Sequence, residues 1–228
     1  MGMRTQLQAQ SCWRVIPTRV PSADLFQGIA DFGEWEQVVE IEGLFNERNR
    51  TTVGNLALVP PAHRAVGPGS SYLMAPFAYL SPGRFGDGSY GVLYAAMDEM
   101  TALVEVAYHR AVFLRDAGNG PETLAQQILT MNFSGEVEDI RGLQKSLPLV
   151  YDPASHLGGQ AFAAPLQQAG IDGIAYSSVR WRGGECVAGF RPNAFSSCRH
   201  ARQEQFYWDG QSLLGPAGIH FGPGGLPI

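Results

Sequence analysis

Residues 86–115 read GDGSYGVLYAAMDEMTALVEVAYHRAVFLR, and their order decides the fold class. The first six letters match G-x-G-x-x-G. That fingerprint works only when a buried strand precedes it and a helix follows, so that a helix N-terminus meets a pyrophosphate. Here the glycine-rich turn is followed by a short apolar run, 91–96 (GVLYAA), which reads as a buried strand. Nothing before the turn reads as a buried parallel strand. A Gly-rich turn ahead of a strand is therefore the better reading. The strand runs into 98–115, where Leu103, Val106, Ala107 and Leu114 follow helical spacing and Gly118 is placed to end the helix.

Working outward, residues 11–16 (SCWRVI) read as a short first strand. Residues 22–47 mix acidic residues, among them Asp31, Glu34, Glu36, Glu40, Glu42 and Glu47, with apolar ones spaced three to four apart, which predicts one or two amphipathic helices. The Pro/Gly-rich passage 59–83 predicts loop with short strands. Downstream, Pro121 could open a helix over 121–131, and 135–140 suits a strand. Residues 158–169 suit a short helix closed by Gly170. Two strands, 171–178 and 185–191, follow, joined by a turn at Arg182–Gly184. A last hairpin is expected around Asp209–Gly210, and the tail 215–228 is expected to be ordered only by contact with something else.

Composition narrows the function classes. The chain has 228 residues, a net charge of −5 and 45 % apolar residues, which excludes a disordered chain. The 28 glycines and 15 prolines make up about 19 % of the chain, against roughly 12 % in average usage, and suggest short strands and a loop-built site. No apolar run is long enough to span a membrane, and no signal peptide is evident, so a cytoplasmic protein is expected. Cys12, Cys186, Cys198 and His200 show no zinc spacing, and no metal is expected. No G-x-S-x-G elbow is present. The acidic net charge disfavours nucleic-acid binding. One local excess stands out: Arg180, Arg182, Arg191, Arg199 and Arg202 face a single Glu185 over 176–202, which suits an anion or a solvated face.

Glu105 sits in the middle of the most apolar helix, flanked by Val104 and Val106. A carboxylate there loses solvation, which disfavours its charged form, and such groups concentrate at functional sites. The alternative is a structural partner such as Arg110 or Arg14.

Two blocks, APFAYLSPGRFGDGSYGVLYAAMDEMTALVEVAYHR (75–110) and IDGIAYSSVRWRGGECVAGFRP (171–192), resemble the RES-domain toxins of bacterial RES–Xre toxin–antitoxin pairs. The shared order is an Arg before a Gly-rich turn, a Tyr ending a strand, a Glu on the next helix and a distant Y-x-S-x-R strand. The first block is similar to a longer subgroup with a helical N-terminal extension. The resemblance implies an α+β fold with an ADP-ribosyltransferase-like mixed β core, flanking helices and that extension. It implies a single domain over 1–228: an extension at 22–74, a core at 75–192 and C-terminal strands with a tail at 193–228. It further implies NAD as substrate, and a toxin that ADP-ribosylates a protein of nucleotide metabolism, with phosphoribosyl-pyrophosphate synthetase the foremost candidate. The alternatives are an NAD glycohydrolase or phosphorylase and a non-catalytic binding module. An Xre-type antitoxin is the implied partner. By the same resemblance Glu105, Arg84 and Tyr94 are catalytic, and Arg84, Tyr94, Ser178 and Arg14 hold the NAD. The residue types suit the chemistry, because breaking the nicotinamide–ribose bond builds positive charge that a carboxylate can stabilise.

Overall fold

A computed structural model describes residues 2–18 and 55–222. The expected helices at 22–47 lie outside the described residues. Eight strands form one sheet: β1 (Met3–Pro17), β2 (Leu93–Ala96), β3 (Glu122–Asp139), β4 (Gly173–Ser177), β5 (Glu185–Gly189), β6 (Phe195–Trp208), β7 (Leu213–Leu214) and β8 (His220–Phe221). Their order is β1-β2-β5-β4-β3-β6-β7-β8, and β1 also pairs with β3. The strands β1-β2-β5-β4-β3 therefore close on themselves. The ring is weakest between β1 and β2, which share only the pair Trp13–Ala96. The helices are α1 (Ser70–Ala78), α2 (Glu99–Asp116) and α3 (Leu157–Gln168). The architecture is the expected α+β class, with a mixed sheet and flanking helices.

The turn–strand–helix unit at 86–115 forms as its sequence dictates. Asp98 caps α2: its carboxylate accepts the Thr101 N–H at 2.8 Å and the Thr101 hydroxyl at 2.6 Å. Gly118, at φ +67, turns the chain out of the helix. The helix buries Ala102, Leu103, Val104, Ala107, Ala111 and Leu114 against one face of the sheet. In β2, Leu93 and Ala95 enter one core cluster, while Tyr94 and Ala96 face the cluster under α2.

Three expectations need correction. Residues 121–131 are not a helix. They join 135–140 in the single long strand β3, paired with β1 on one side and β6 on the other. Ile128 packs under α2 and Leu129 under the opposite face, so burial on both faces overrides the local helical preference of Leu124–Gln127. Within 59–83 the chain forms α1 rather than short strands. Leu73, Met74 and Phe77 share a buried helical face, and Pro76 sits in the last turn, where few later hydrogen bonds depend on it. The tail is ordered by the chain itself as far as residue 222: β7 and β8 pair, and Phe221 is fully buried beside Phe206. The hairpin around Asp209–Gly210 forms as expected, joining β6 to β7.

Candidate active site

A cavity of about 620 Å³ opens between α2, the turn before β2, the start of α3 and the β4–β5 turn. That volume suits a drug-sized or cofactor-sized ligand. Arg84, Tyr94, Glu105 and Arg14 all line it. Ser178 does not line it, but holds the group that does.

Glu105 projects from the middle of α2. Its carboxylate accepts a hydrogen bond from the Ser178 hydroxyl at 2.5 Å. Ser178 Oγ in turn accepts the backbone N–H groups of Arg180 (3.0 Å) and Trp181 (2.9 Å). The serine thus caps the β4–β5 turn and aims its proton at Glu105. Burial pushes the Glu105 carboxyl above the usual carboxylate range, and Ser178, Arg180 and Arg84 pull against that shift. The result is a desolvated carboxylate with one donor fixed on one of its oxygens.

Arg84 is buried, at 8 % exposure. Its Nη1 donates to the carbonyls of Val150 and Asp152, both at 2.9 Å. Its backbone is held too. Gly83 pairs with Gly86 across the turn, and the Gln160 side-chain amide donates to the Gly83 carbonyl at 3.0 Å. Gly159 admits this close packing, because a Cβ there would lie 2.3 Å from the Arg84 carbonyl oxygen. Part of the Arg84 guanidinium is therefore spent on protein carbonyls, while its charge still acts on Glu105, His109 and His156.

Tyr94 has two tasks. Its ring lines the cavity, and its hydroxyl accepts the Phe85 N–H at 2.8 Å, bracing the turn that carries Arg84. Burial drives its phenol far above the ordinary range, so it stays neutral. Arg14 touches the cavity from β1, yet the strand alternation sets it on the side of Cys12 and Ile16, opposite Trp13 and Val15. Burial lowers its pKa to about 10.

Sequence reasoning did not single out His109 or His156, and named Arg110 only as a structural partner of Glu105; all three line the cavity. His109 was findable, one helical turn beyond Glu105 on the same face. Desolvation, then the charge of Arg180, lowers the His109 pKa, and desolvation, then Arg84, lowers that of His156. Arg180 stacks over the Tyr108 ring, 3.5 Å from its centre, and donates to the Pro153 carbonyl at 2.6 Å. The cavity is thus cationic around a single carboxylate, which favours an anionic ligand with a centre of developing positive charge at Glu105. Among the described residues no group of three or more His, Cys, Asp or Glu side chains could hold a metal ion.

The family model described as RES domain matches residues 61–209. The chain belongs to the RES domain family. The RES domain match takes in α1, β6 and the cavity-lining residues from Ser81 to Cys186, but not Trp13, Arg14 and Val15, which line the cavity from β1. A curated relative, the uncharacterized protein y4oC of Sinorhizobium fredii (strain NBRC 101917 / NGR234), is 28 % identical over 203 residues, covering 88 % of this chain and 84 % of that protein. Among solved structures, the chain is similar to the MbcT–MbcA toxin–antitoxin complex of M. tuberculosis. That match has a TM-score of 0.46 and 12 % identity, over 88 % of this chain and 85 % of that one. No helix among the described residues is long and apolar enough to cross a membrane.

Proposed function

We propose that this RES-domain chain is the toxin of a bacterial toxin–antitoxin pair and that its cavity cleaves NAD, passing ADP-ribose to a protein. The observation that carries this reading is Glu105, desolvated on α2, hydrogen-bonded to Ser178 and set among the cations of Arg84, Arg180 and Arg110. The cations suit the pyrophosphate, and the carboxylate suits the ribose.

In the reaction the bond from ribose C1′ to the nicotinamide nitrogen breaks, and nicotinamide leaves with the electron pair. Positive charge builds on C1′ and the ring oxygen, and the Glu105 carboxylate stabilises it. An acceptor nucleophile on the target protein then bonds to C1′ and gives up its proton. Ser178 holds Glu105 in place, and Tyr94 braces the Arg84 turn while offering its ring as a wall for the leaving base. The target we favour is a protein of nucleotide metabolism, with phosphoribosyl-pyrophosphate synthetase first among candidates. An Xre-type antitoxin would neutralise the toxin in the cytoplasm.

Incubation with NAD labelled on the adenylate and a bacterial extract tests the reading. A discrete labelled protein band is the expected result. Free ADP-ribose with no labelled band would replace transfer by hydrolysis, and unconsumed NAD would remove the enzymatic reading altogether.

A further inference from the structure

Tyr151 does not line the cavity, yet its chain neighbours and its hydroxyl are bonded to the residues that hold both halves of the catalytic constellation. The carbonyls of its two chain neighbours, Val150 and Asp152, are the ones that hold Arg84 Nη1, each at 2.9 Å. Its own side chain is buried, and its hydroxyl donates to the Ile140 carbonyl at 2.7 Å. The same oxygen accepts the Ser177 N–H at 3.3 Å. Ser177 is the residue before Ser178, whose hydroxyl holds Glu105.

The rest of the segment stiffens this link. The Gly142 N–H donates to Ser177 Oγ at 3.1 Å. Arg141 pairs with Asp139 at 2.5 Å and with Glu185 at 2.8 Å, and Glu185 is the β5 partner of Ser177. Residues 139–152 thus form a bracket from the end of β3 to the Arg84 anchor, and Tyr151 ties its two ends.

We infer that Tyr151 is a positioning residue that sets Ser178 and Glu105 at a fixed distance from Arg84. The inference rests on the proposed NAD-cleaving role of the cavity. A reaction that needs cation, hydroxyl and carboxylate in one geometry loses rate when that geometry loosens, even when ligand affinity survives.

The test is Tyr151→Phe, which keeps the ring volume and removes the hydroxyl. We expect kcat for nicotinamide release to fall about tenfold, with KM changed by less than about twofold. Carbon-13 labelling of the Glu105 carboxyl gives a second readout that needs no turnover: its titration should move to higher pH in Y151F, as the Ser178 hydrogen bond that opposes the burial shift is loosened. Arg141→Gln, which releases the other end of the bracket, should move both readouts the same way. An unchanged Glu105 titration in Y151F and R141Q would overturn the inference, whatever the activity. A Y151F loss of kcat that follows only its loss of thermal midpoint would overturn it too. Failure of the wild-type protein to release nicotinamide, with the titration still shifted, would instead remove the proposed reaction and leave the bracket standing.

Discussion

Replacing Ser178 with Ala removes one oxygen that makes three hydrogen bonds: one to Glu105 at 2.5 Å and two from the Arg180 and Trp181 N–H groups at 3.0 and 2.9 Å. The bond to Glu105 is charge-assisted, and bonds of that kind contribute about 1.5–3 kcal/mol. Each 1.4 kcal/mol or so lost from the transition state is tenfold in rate, so kcat should fall about 10- to 100-fold. The pH dependence should change with it. In the wild type, burial raises the Glu105 pKa while Ser178, Arg180 and Arg84 oppose the rise. Without Ser178 only the two arginines oppose it, and the pKa climbs further. If the ionised carboxylate is the active form, the acid limb of the kcat profile moves to higher pH, and the defect deepens as pH falls. Measuring nicotinamide release by wild type, S178A and S178T between about pH 5 and 9 decides the matter. S178T keeps a hydroxyl and should recover most of the rate. An S178A enzyme with wild-type kcat, or an acid limb that moves to lower pH, would refute the reasoning.

Glu105 carries a stability cost that its amide should remove. The folded pKa is raised, so the folded state holds a proton that the unfolded chain releases, and stability falls as pH rises from the unfolded Glu value through the folded one. Glu105→Gln should therefore melt higher than wild type at neutral pH, the difference vanishing near about pH 4; equal melting at both would count against a desolvated carboxylate. Gly159→Ala should destabilise, although Ala in a helix interior normally gains about 1 kcal/mol over Gly, because the new Cβ would lie 2.3 Å from the Arg84 carbonyl oxygen. Thermal melts read the sign directly. Arg180→Gln should raise KM for NAD about tenfold and kcat should change less, since Arg180 lines the cavity as an anion partner; steady-state kinetics check the split.

The parts of the site that were legible in the sequence are those written locally. The spacing of Leu103, Val106, Ala107 and Leu114 announces α2, the glycines at 83–91 announce the turn, and a lone Glu between valines announces a desolvated carboxylate. Ser178 was reached through the resemblance to the family's Y-x-S-x-R strand rather than from local pattern. What stayed hidden depends on distant pairing. The Leu124–Gln127 stretch has helix-forming residues, and only the flanking β1 and β6 make it a strand. Arg14 has the right residue type, but a strand sets alternate side chains on opposite faces, and Arg14 falls on the face of Cys12 and Ile16 rather than that of Trp13 and Val15. His156 reaches the cavity, and Tyr151 reaches Ser177 behind it, on the connection between β3 and α3, which carries no local signal of what it will touch.

The central claim is that the Glu105 cavity breaks the nicotinamide–ribose bond. Purified wild type and Glu105→Gln, each shown to be folded, should be given NAD, with release of free nicotinamide followed over time. The account predicts steady release by wild type and a loss of at least about 100-fold in the variant, in line with removal of an electrostatic stabiliser of the transition state. Equal release by the two proteins would contradict it.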